Sequence, residues 1–333
     1  MLRFAAIPLM LTALAACGGG GSAAKESANN SAAANGSISA NGSAPGTETV
    51  PTYRLGDARV LALLDGRGPF PTKLFQGVSP EETQRLLSAG EEATTDKDGK
   101  PAWAGSVWAF LVDVGGRRVL VDTGAGGNIP GTGQAAQGLA AAGVDPASVN
   151  AIVISHMHGD HIGGLLTPEG RPRYPGATLH LHAKEAGYWG NEANAAKAPA
   201  EERSGFEAAR KVLAAYGDRV RTFTGPVEIV PGLAAEPVIG HTPGHTVYRL
   251  RAGGREMAFI GDMIHSLAVQ MPRPEVTLGF DSDAAAARNV RADFLRANAG
   301  RDILFAGPHF RIGVVTIAPD GEAYRATPAQ PGS

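Results

Sequence analysis

The sequence predicts an α/β fold of four layers, in which two β-sheets pack face to face and helices cover their outer surfaces. Two observations lead to this prediction. Short apolar strand segments alternate with helical segments in both halves of the chain beyond Tyr53. The chain has 333 residues, of which 43% are apolar, and this is enough for a substantial core in one domain.

The first half is predicted to be rich in strands, and the last of these is the most informative. Residues 151–155 form a short apolar, β-branched run, which is typical of a buried strand. A helix before it ends at Gly143. The predicted strands are Ala58–Leu64, Val107–Val114, Arg118–Val121 and Ala151–Ser155, and the predicted helix is Gln134–Ala142.

The second half repeats this alternation of strands and helices. Asp283 is a candidate cap for its last helix. The predicted helices are Ala183–Trp189, Gly205–Tyr216 and Asp283–Ala297. The predicted strands are Thr178–Leu181, short strands near Val220, Val227 and Val247, and Met257–Ile260, Ile303–Phe305 and Val314–Ile317.

The N-terminus carries the features of a secretory signal peptide over residues 1–16. Arg3 precedes an apolar run that is too short to span a bilayer as a helix. The run ends at Ala16-Cys17, which resembles the lipobox of bacterial lipoproteins, where the peptide is cut before a cysteine that is then acylated. An ordinary signal peptide cut elsewhere is the alternative. We expect a lipid on Cys17, because the only cysteine of the chain lies where this motif requires it.

This lipid would anchor the protein in the cell envelope, facing the periplasm. Residues 17–50 are rich in Gly, Ser, Ala and Asn and are expected to form a disordered tether. The folded domain is expected over residues 51–327, followed by a tail over residues 328–333. Gly18 is not the aspartate that retains many lipoproteins at the inner membrane, so the outer membrane is favoured.

Charge and cysteine content exclude several classes of function. The formal net charge is only −2, without the basic excess that binding to a phosphate backbone requires, so nucleic acid is not expected as a partner. A single cysteine forms no intramolecular disulfide and cannot supply a multi-thiolate zinc site. Any metal must therefore be bound by His and Asp.

The segment from His156 to His161 is the strongest functional signal. It places His156, His158, Asp160 and His161 within six residues, directly after a predicted buried strand. In extended chain, His156 and His158 project to the same side, and the turn at Gly159 directs Asp160 and His161 towards a neighbouring position. Protonated imidazoles repel one another, so such a cluster is expensive to hold without a cation. The spacing therefore predicts two adjacent metal sites.

This segment resembles the HxHxDH motif of the metallo-β-lactamase superfamily. The resemblance implies an αββα sandwich of two mixed β-sheets flanked by helices. It also implies two divalent metal ions, with His156, His158 and His245 as ligands of the first and Asp160, His161 and His309 as ligands of the second. Asp262 would bridge the two ions, and Asp160 and Asp262 are assigned as catalytic.

Some histidines and one aspartate are open to more than one interpretation. Either histidine of His241-Thr242-Pro243-Gly244-His245 could be the ligand. The resemblance favours His245 and leaves His241 as a supporting residue. Asp122 resembles the family's aspartate that supports the metal loop, although a turn cap is the alternative. Structural or surface roles are expected for the remaining histidines, which are His180, His182 and His265, the last of which could approach the metals.

Two adjacent divalent ions would share a water, lower its pKa to about 7 and so present a bridging hydroxide. Such a site suits attack on lactones, esters, amides or phosphotriesters. Ligation by nitrogen and oxygen alone favours Zn²⁺, although manganese, iron or cobalt could also bind.

Several further motifs are spread along the chain: Asp65-Gly66 through Pro71, Leu74-Phe75, Tyr188-Trp189, Lys197-Ala198-Pro199, Gly205-Phe206, Ala268-Val269-Gln270 and Asp281-Ser282-Asp283. On these motifs, residues 53–325 resemble methyl parathion hydrolase and its relatives. In that family aromatic side chains line an apolar substrate pocket, and Trp189 and Phe206 lie at matching positions, with packing in a helix face as the alternative. Ile129 lies in the loop where the family has a further aromatic residue, and this departure makes a smaller acyl substrate such as a lactone comparable to an organophosphate. The resemblance also implies a homodimer.

Three other functions are alternatives for a chain with this motif. Persulfide dioxygenases share the fold but use one iron, and the complete second set of ligands counts against them. A metal-free scaffold would normally lack part of the ligand set. Hydrolysis of β-lactams is expected only as a promiscuous activity, because true β-lactamases characteristically lack a bridging carboxylate like Asp262.

Overall fold

Seventeen strands and eight α-helices are present in residues 50–332, the part of the chain that the computed structural model describes. The predicted signal peptide, Cys17 and almost all of the predicted tether lie outside the described residues. The strands are β1 Thr52–Leu55, β2 Ala58–Pro71, β3 Phe75–Gln76, β4 Ala93–Thr95, β5 Pro101–Val114, β6 Arg117–Val121, β7 Ala151–Val153, β8 Thr178–His182, β9 Val220–Phe223, β10 Val227–Val230, β11 Leu233–Pro237, β12 Thr246–Ala252, β13 Arg255–Phe259, β14 Thr277–Leu278, β15 Ile303–Ala306, β16 Val314–Asp320 and β17 Ala323–Pro328. The α-helices are α1 Pro80–Ala89, α2 Ala135–Ala141, α3 Gly159–Ile162, α4 Ala183–Trp189, α5 Glu192–Lys197, α6 Arg203–Tyr216, α7 Leu267–Gln270 and α8 Ala284–Asn298.

The strands form two large mixed sheets and one small sheet. The first large sheet has the order β1-β2-β5-β6-β7-β8-β9, with β4 paired to β5, and its strands β6 to β9 run parallel. The second has the order β10-β11-β12-β13-β15-β16-β17, in which only β13 and β15 pair in parallel. The small sheet pairs β3 with β14.

The core lies in layers because alternate residues of each strand point to opposite faces. In β2, Val60 and Ala62 pack in the cluster between the two large sheets, whereas Leu61 and Leu63 pack against helices on the outer face. The cluster between the sheets takes Tyr248 and Phe259 from the second sheet. This two-sided burial explains why the central strands are continuously apolar.

Helices cover both outer faces, so the predicted fold class is confirmed. Side chains of α2, α4 and α6 complete the outer cluster of the first sheet, and side chains of α8 complete that of the second. Within residues 50–332, no helix has both the length and the apolar character needed to cross a membrane.

The structure also contains elements that the sequence analysis did not predict, notably α1, β11 and β17. Helix α1 carries ordinary start signals, since the Ser79 side chain accepts a hydrogen bond from the Glu82 amide and Pro80 occupies the first turn. Strand β5 begins at Pro101 rather than Val107, and it pairs with β2 in antiparallel from Ala102 to Asp113.

Candidate metal centre

The predicted site residues converge because they follow strands whose carboxyl ends lie at the same edge of the sandwich. His156 and His158 follow β7, and Asp160 and His161 lie in α3 directly after them. Asp262 follows β13 and His309 follows β15. Since β13 and β15 run parallel, their carboxyl ends meet, and the second sheet brings these two residues to the loop from the first.

One group of donors consists of His156, His158, His241 and Asp262, whose ligand atoms lie within 4.8 Å of one another. The Nε2 atom of His156 lies 2.9 Å from Nδ1 of His158, and Nε2 of His241 lies 3.1 Å from the same Nδ1 atom. The Oδ2 atom of Asp262 lies 3.3 Å from Nε2 of His241 and 3.6 Å from Nε2 of His156.

A second group consists of Asp160, His161 and His309, and Asp262 also contacts it. The Oδ1 atom of Asp262 lies 3.1 Å from Nε2 of His161 and 3.2 Å from Nε2 of His309. The Oδ2 atom of Asp160 lies 3.5 Å from Nε2 of His309. Asp262 therefore lies between the two groups, with one oxygen towards each.

Two of the donor atoms in these groups lack the hydrogen bonds that buried polar atoms normally make, and this suits metal ions. Nε2 of His161 and Oδ1 of Asp262 are buried without a hydrogen-bond partner, although they face one another. Two ring nitrogens, Nε2 of His156 and Nε2 of His241, lie 2.9 and 3.1 Å from Nδ1 of His158, where protons cannot satisfy every contact. Cations shared by imidazoles and carboxylates would satisfy all of them.

The sequence interpretation assigned His245 to the first group and His241 to its support, and the structure has these two the other way round. Nε2 of His245 accepts a hydrogen bond from the Asp262 amide at 2.9 Å, so this nitrogen is turned away from the cluster. His245 directly precedes β12, whereas His241 lies in the free loop before it. A Cβ on Gly261 would come within 2.5 Å of Nε2 of His245, so this contact requires glycine.

Asp122, for which the sequence suggested a supporting role, contacts the ligand loop. Its carboxylate accepts hydrogen bonds from the Ser155 amide at 2.8 Å and the Ser155 hydroxyl at 2.7 Å. Its Oδ2 atom lies 2.9 Å from Nδ1 of His161. The backbone of Asp122 has φ +53°, a left-handed conformation that Asp tolerates better than most residues.

In His241 and His309, the second ring nitrogen, Nδ1, also has a hydrogen-bond partner. Nδ1 of His241 lies 2.8 Å from Oδ1 of Asp281, and Nδ1 of His309 lies 3.0 Å from the Ser106 carbonyl. Such contacts fix the tautomer and orientation of a ligating imidazole. Ser106 was not singled out in the sequence; Asp281 belongs to the motif Asp281-Ser282-Asp283, but nothing in that motif indicated a contact with His241.

The electrostatics separate the histidines into two kinds. Burial lowers the pKa of both His158 and His245 to about 3, with His241 adding to the effect. Burial alone would also lower the pKa of His241, but its hydrogen bonds to Asp262 and Asp281 raise the value to about 9. Burial opposes ionisation of Asp262, yet the surrounding histidines hold its pKa well below the usual value. The carboxylate is therefore ionised at neutral pH.

His265, for which a structural role was expected, enters the site. Its Nε2 atom lies 3.1 Å from Oδ2 of Asp262, and its ring stacks on that of His309 with centroids 5.1 Å apart. The Gln270 side chain fixes its backbone, since Oε1 accepts the His265 amide at 2.7 Å. His180 and His182 lie outside the cluster; His180 contacts Thr178, and Nε2 of His182 lies near the Thr224 carbonyl.

Aromatic side chains border the site on two sides, only one of which was predicted. The Trp189 ring stands edge-on to His158 with centroids 5.3 Å apart. Phe206 packs on Trp189 from behind and is fully buried in the core, so the expectation that it lines the pocket is wrong. On the other side, Phe70 and Trp103 pair across β2 and β5.

This second aromatic pair lies against the second group of donors. The Phe70 and Trp103 ring centroids each lie 6.2 Å from that of His309. No local signal in the sequence indicates this pair, because Phe70 and Trp103 come together only when β2 and β5 pair. Ile129 is half-buried in the turn where its carbonyl accepts the Thr132 amide, and its place in the pocket stays a prediction.

The chain belongs to the metallo-β-lactamase superfamily, whose family model matches residues 102–309. Among solved structures, the hydrolase AbOPH of the β-lactamase superfamily is 29% identical, with 85% of this chain and 98% of that chain covered and a TM-score of 0.77. No curated protein sequence matches the chain.

Two more distant structures share the fold. AidC, a dizinc quorum-quenching lactonase in complex with N-hexanoyl-L-homoserine, is 22% identical over 84% of this chain and 97% of that chain, with a TM-score of 0.76. A probable metal-dependent hydrolase from Staphylococcus aureus is 17% identical over 83% of this chain and 99% of that chain, with a TM-score of 0.69.

Proposed function

We propose that this protein is a dinuclear metal-dependent hydrolase of lactones, esters or phosphotriesters. The observation that carries the proposal is the position of Asp262, whose two carboxylate oxygens lie between a group of three histidines and a group of two histidines and one aspartate. A carboxylate in this position, buried and ionised, suits the bridging of two cations.

Zinc is the proposed metal at both positions. The donors are imidazole nitrogens and carboxylate oxygens, a combination that Zn²⁺ binds well, with the second ring nitrogens of His161, His241 and His309 held by neighbouring acceptors. AidC, which shares the fold, is described as a dizinc enzyme.

The chain itself would orient the substrate and exclude water from it. Two divalent ions supply an activated water at neutral pH and an electrophile for a carbonyl or phosphoryl oxygen. His158 and Asp160 are the half-buried members of the cluster, so the substrate would approach from their side. Trp189 beside His158 and Phe70 beside His309 would hold an apolar group on either side of the reacting bond.

The proposed substrate is a small apolar lactone, ester or phosphotriester. AidC is described as a lactonase and AbOPH as a hydrolase. The aromatic residues on two sides of the site suit an acyl or aryl substituent, because apolar surface gains free energy when it is removed from water.

Export and lipid anchoring are proposed from the sequence alone. Cys17 would carry the lipid and hold the enzyme at an envelope membrane, facing the periplasm. Labelling of cells with a radioactive fatty acid should label the wild-type protein and not a Cys17→Ser variant. A label that persists in Cys17→Ser would contradict the proposal.

The proposed function is tested by the metal content of the purified protein and its turnover of a substrate panel. The panel contains an acyl-homoserine lactone, an aryl ester, methyl parathion and nitrocefin. We expect about two zinc ions per chain and turnover of a lactone, ester or phosphotriester. Asp262→Asn should abolish both, whereas His180→Gln, which removes an imidazole outside the cluster, should retain them. One iron per chain without hydrolysis would indicate an oxidoreductase instead.

A further inference from the structure

Glu185, in the first turn of α4, is a fully buried carboxylate outside the donor groups. Within residues 50–332, no Lys or Arg forms an ion pair with it. A buried carboxylate without a counter-ion is costly unless hydrogen bonds satisfy it. The partners of Glu185 therefore indicate what it does.

Three donors from three different segments meet at this carboxylate. Its Oε1 atom accepts hydrogen bonds from the Met157 amide at 2.9 Å and from the Trp189 indole at 2.7 Å. Its Oε2 atom accepts one from the Gly244 amide at 2.8 Å. Burial raises the pKa of Glu185, and these three hydrogen bonds oppose that effect because they favour the ionised carboxylate.

The two backbone donors lie in the two loops that carry the first donor group. Met157 lies between His156 and His158, and Gly244 follows His241 by three residues. One carboxylate thus ties together loops that are far apart in the sequence. Asp122 has the corresponding role at the second group, where its carboxylate lies within hydrogen-bonding distance of the His161 ring.

The third donor links this carboxylate to the aromatic side of the site. The Trp189 ring that donates to Glu185 also stands edge-on to His158. The packing around the carboxylate is close, since a Cβ on Gly244 would come within 2.6 Å of the Glu185 amide nitrogen. Only glycine at position 244 therefore allows this loop to come so close to α4.

We infer that Glu185 is a positioning residue for the first donor group, and that through Trp189 it fixes the aromatic side of the substrate pocket relative to that group. The second half of this inference rests on the proposed function. The first half concerns metal binding alone and has a readout that does not depend on activity.

The test is a cobalt titration of the metal-free protein, followed by its visible absorption spectrum and by competition with a chelator. In Glu185→Gln the amide NH₂ group must face at least one of the three donors. We expect the affinity of one of the two bound ions to fall about 10- to 100-fold, with the other close to wild type. Glu207→Gln, on the exposed surface of α6, is the matched control and should bind like wild type.

The opposite result is equally specific. A Glu185→Gln protein that binds both ions like wild type, even with a lower unfolding temperature, would show a merely structural residue and overturn the inference. Wild-type protein that binds no metal would instead overturn the proposed function.

A second variant tests the link to the pocket and serves if Glu185→Gln does not fold. Trp189→Phe removes the indole donor and keeps an aromatic ring. We expect a changed cobalt spectrum and a higher KM, with kcat less affected, for a substrate with an aryl or long acyl group. An unchanged spectrum together with an unchanged KM would overturn the coupling through Trp189.

Discussion

The backbone amide of Asp262 donates a hydrogen bond to Nε2 of His245 at 2.9 Å, and this contact separates the roles of the two histidines in the loop before β12. His245 orients the backbone of the central carboxylate from within the core. The His241 side chain contacts the carboxylate itself, since its Nε2 atom lies 3.3 Å from Oδ2 of Asp262.

Exchange of each histidine for alanine should therefore have different effects. His241→Ala is expected to lose one bound metal ion, and its metal-free form should keep nearly wild-type stability only above about pH 9, where the His241 imidazole is neutral. His245→Ala should destabilise even the metal-free protein, by roughly 2–4 kcal/mol, because it leaves the Asp262 amide unsatisfied and a cavity beside it. Metal analysis and urea unfolding in the presence of a chelator measure the two effects. Equal stability of the two metal-free variants would contradict these roles.

Asp122→Asn should weaken metal binding at the second group without unfolding the protein. Asn tolerates the left-handed backbone at this position, but its amide group cannot accept hydrogen bonds from both Ser155 and His161. We expect a loss of about 10- to 100-fold in affinity for one ion, measured by chelator competition. Asp113→Asn, which alters a surface pair with Arg59, is the control and should bind metal normally.

Metal-free protein should be most stable near pH 6.5. The pKa of His241 is raised to about 9, so its contribution is complete below the unfolded value of about 6.5 and is lost as the pH rises through 9. The pKa values of His158 and His245 are lowered to about 3, so the unfolded state binds more protons and gains stability as the pH falls below 6.5. Thermal unfolding with a chelator between pH 5 and pH 9 measures this maximum.

Bound metal should change how the stability of the folded protein depends on pH, because ligation requires the histidines to be deprotonated. The stabilisation that zinc adds is expected to grow as the pH rises from 5 to 8. A stabilisation by zinc that is independent of pH over this range would count against histidine ligation.

Arg291→Met should destabilise the fold by about 3 kcal/mol or more, since the carbonyls of Met263 and Pro274 lose their side-chain donor and that of Val276 keeps only the Gln270 amide. The Arg291 guanidinium is buried under α8 and donates to the carbonyls of Met263, Pro274 and Val276 at 2.7 to 2.8 Å. Arg288→Met, exposed on the same helix, is the control and should change stability by less than about 0.5 kcal/mol. Urea unfolding of both variants measures the difference, and similar midpoints would show that Arg291 is dispensable.

Sequence alone was enough for the fold class and for most of the donors. In the segment from His156 to His161, the spacing of the residues directs the side chains towards two adjacent metal sites. No contact with a distant part of the chain is therefore needed to recognise this motif. The apolar runs of β7 and β13 predicted strands because a strand buried on both faces has no polar alternation. Asp262 and His309 were assigned through the resemblance to the metallo-β-lactamase superfamily, at positions that follow predicted strands.

Only the tertiary structure decided which histidine of the His241–His245 loop faces the cluster, and that Glu185, Asp281, His265 and Phe70 border it. Each of these positions depends on how β11, β12, α4 and α8 pack against one another. The direction of a side chain in a loop cannot be predicted from a periodic pattern of apolar residues. The sequence thus determined the types of donor and their order along the chain. The packing of two sheets determined which donors meet, because contacts between distant segments follow from burial of the whole core and not from local spacing.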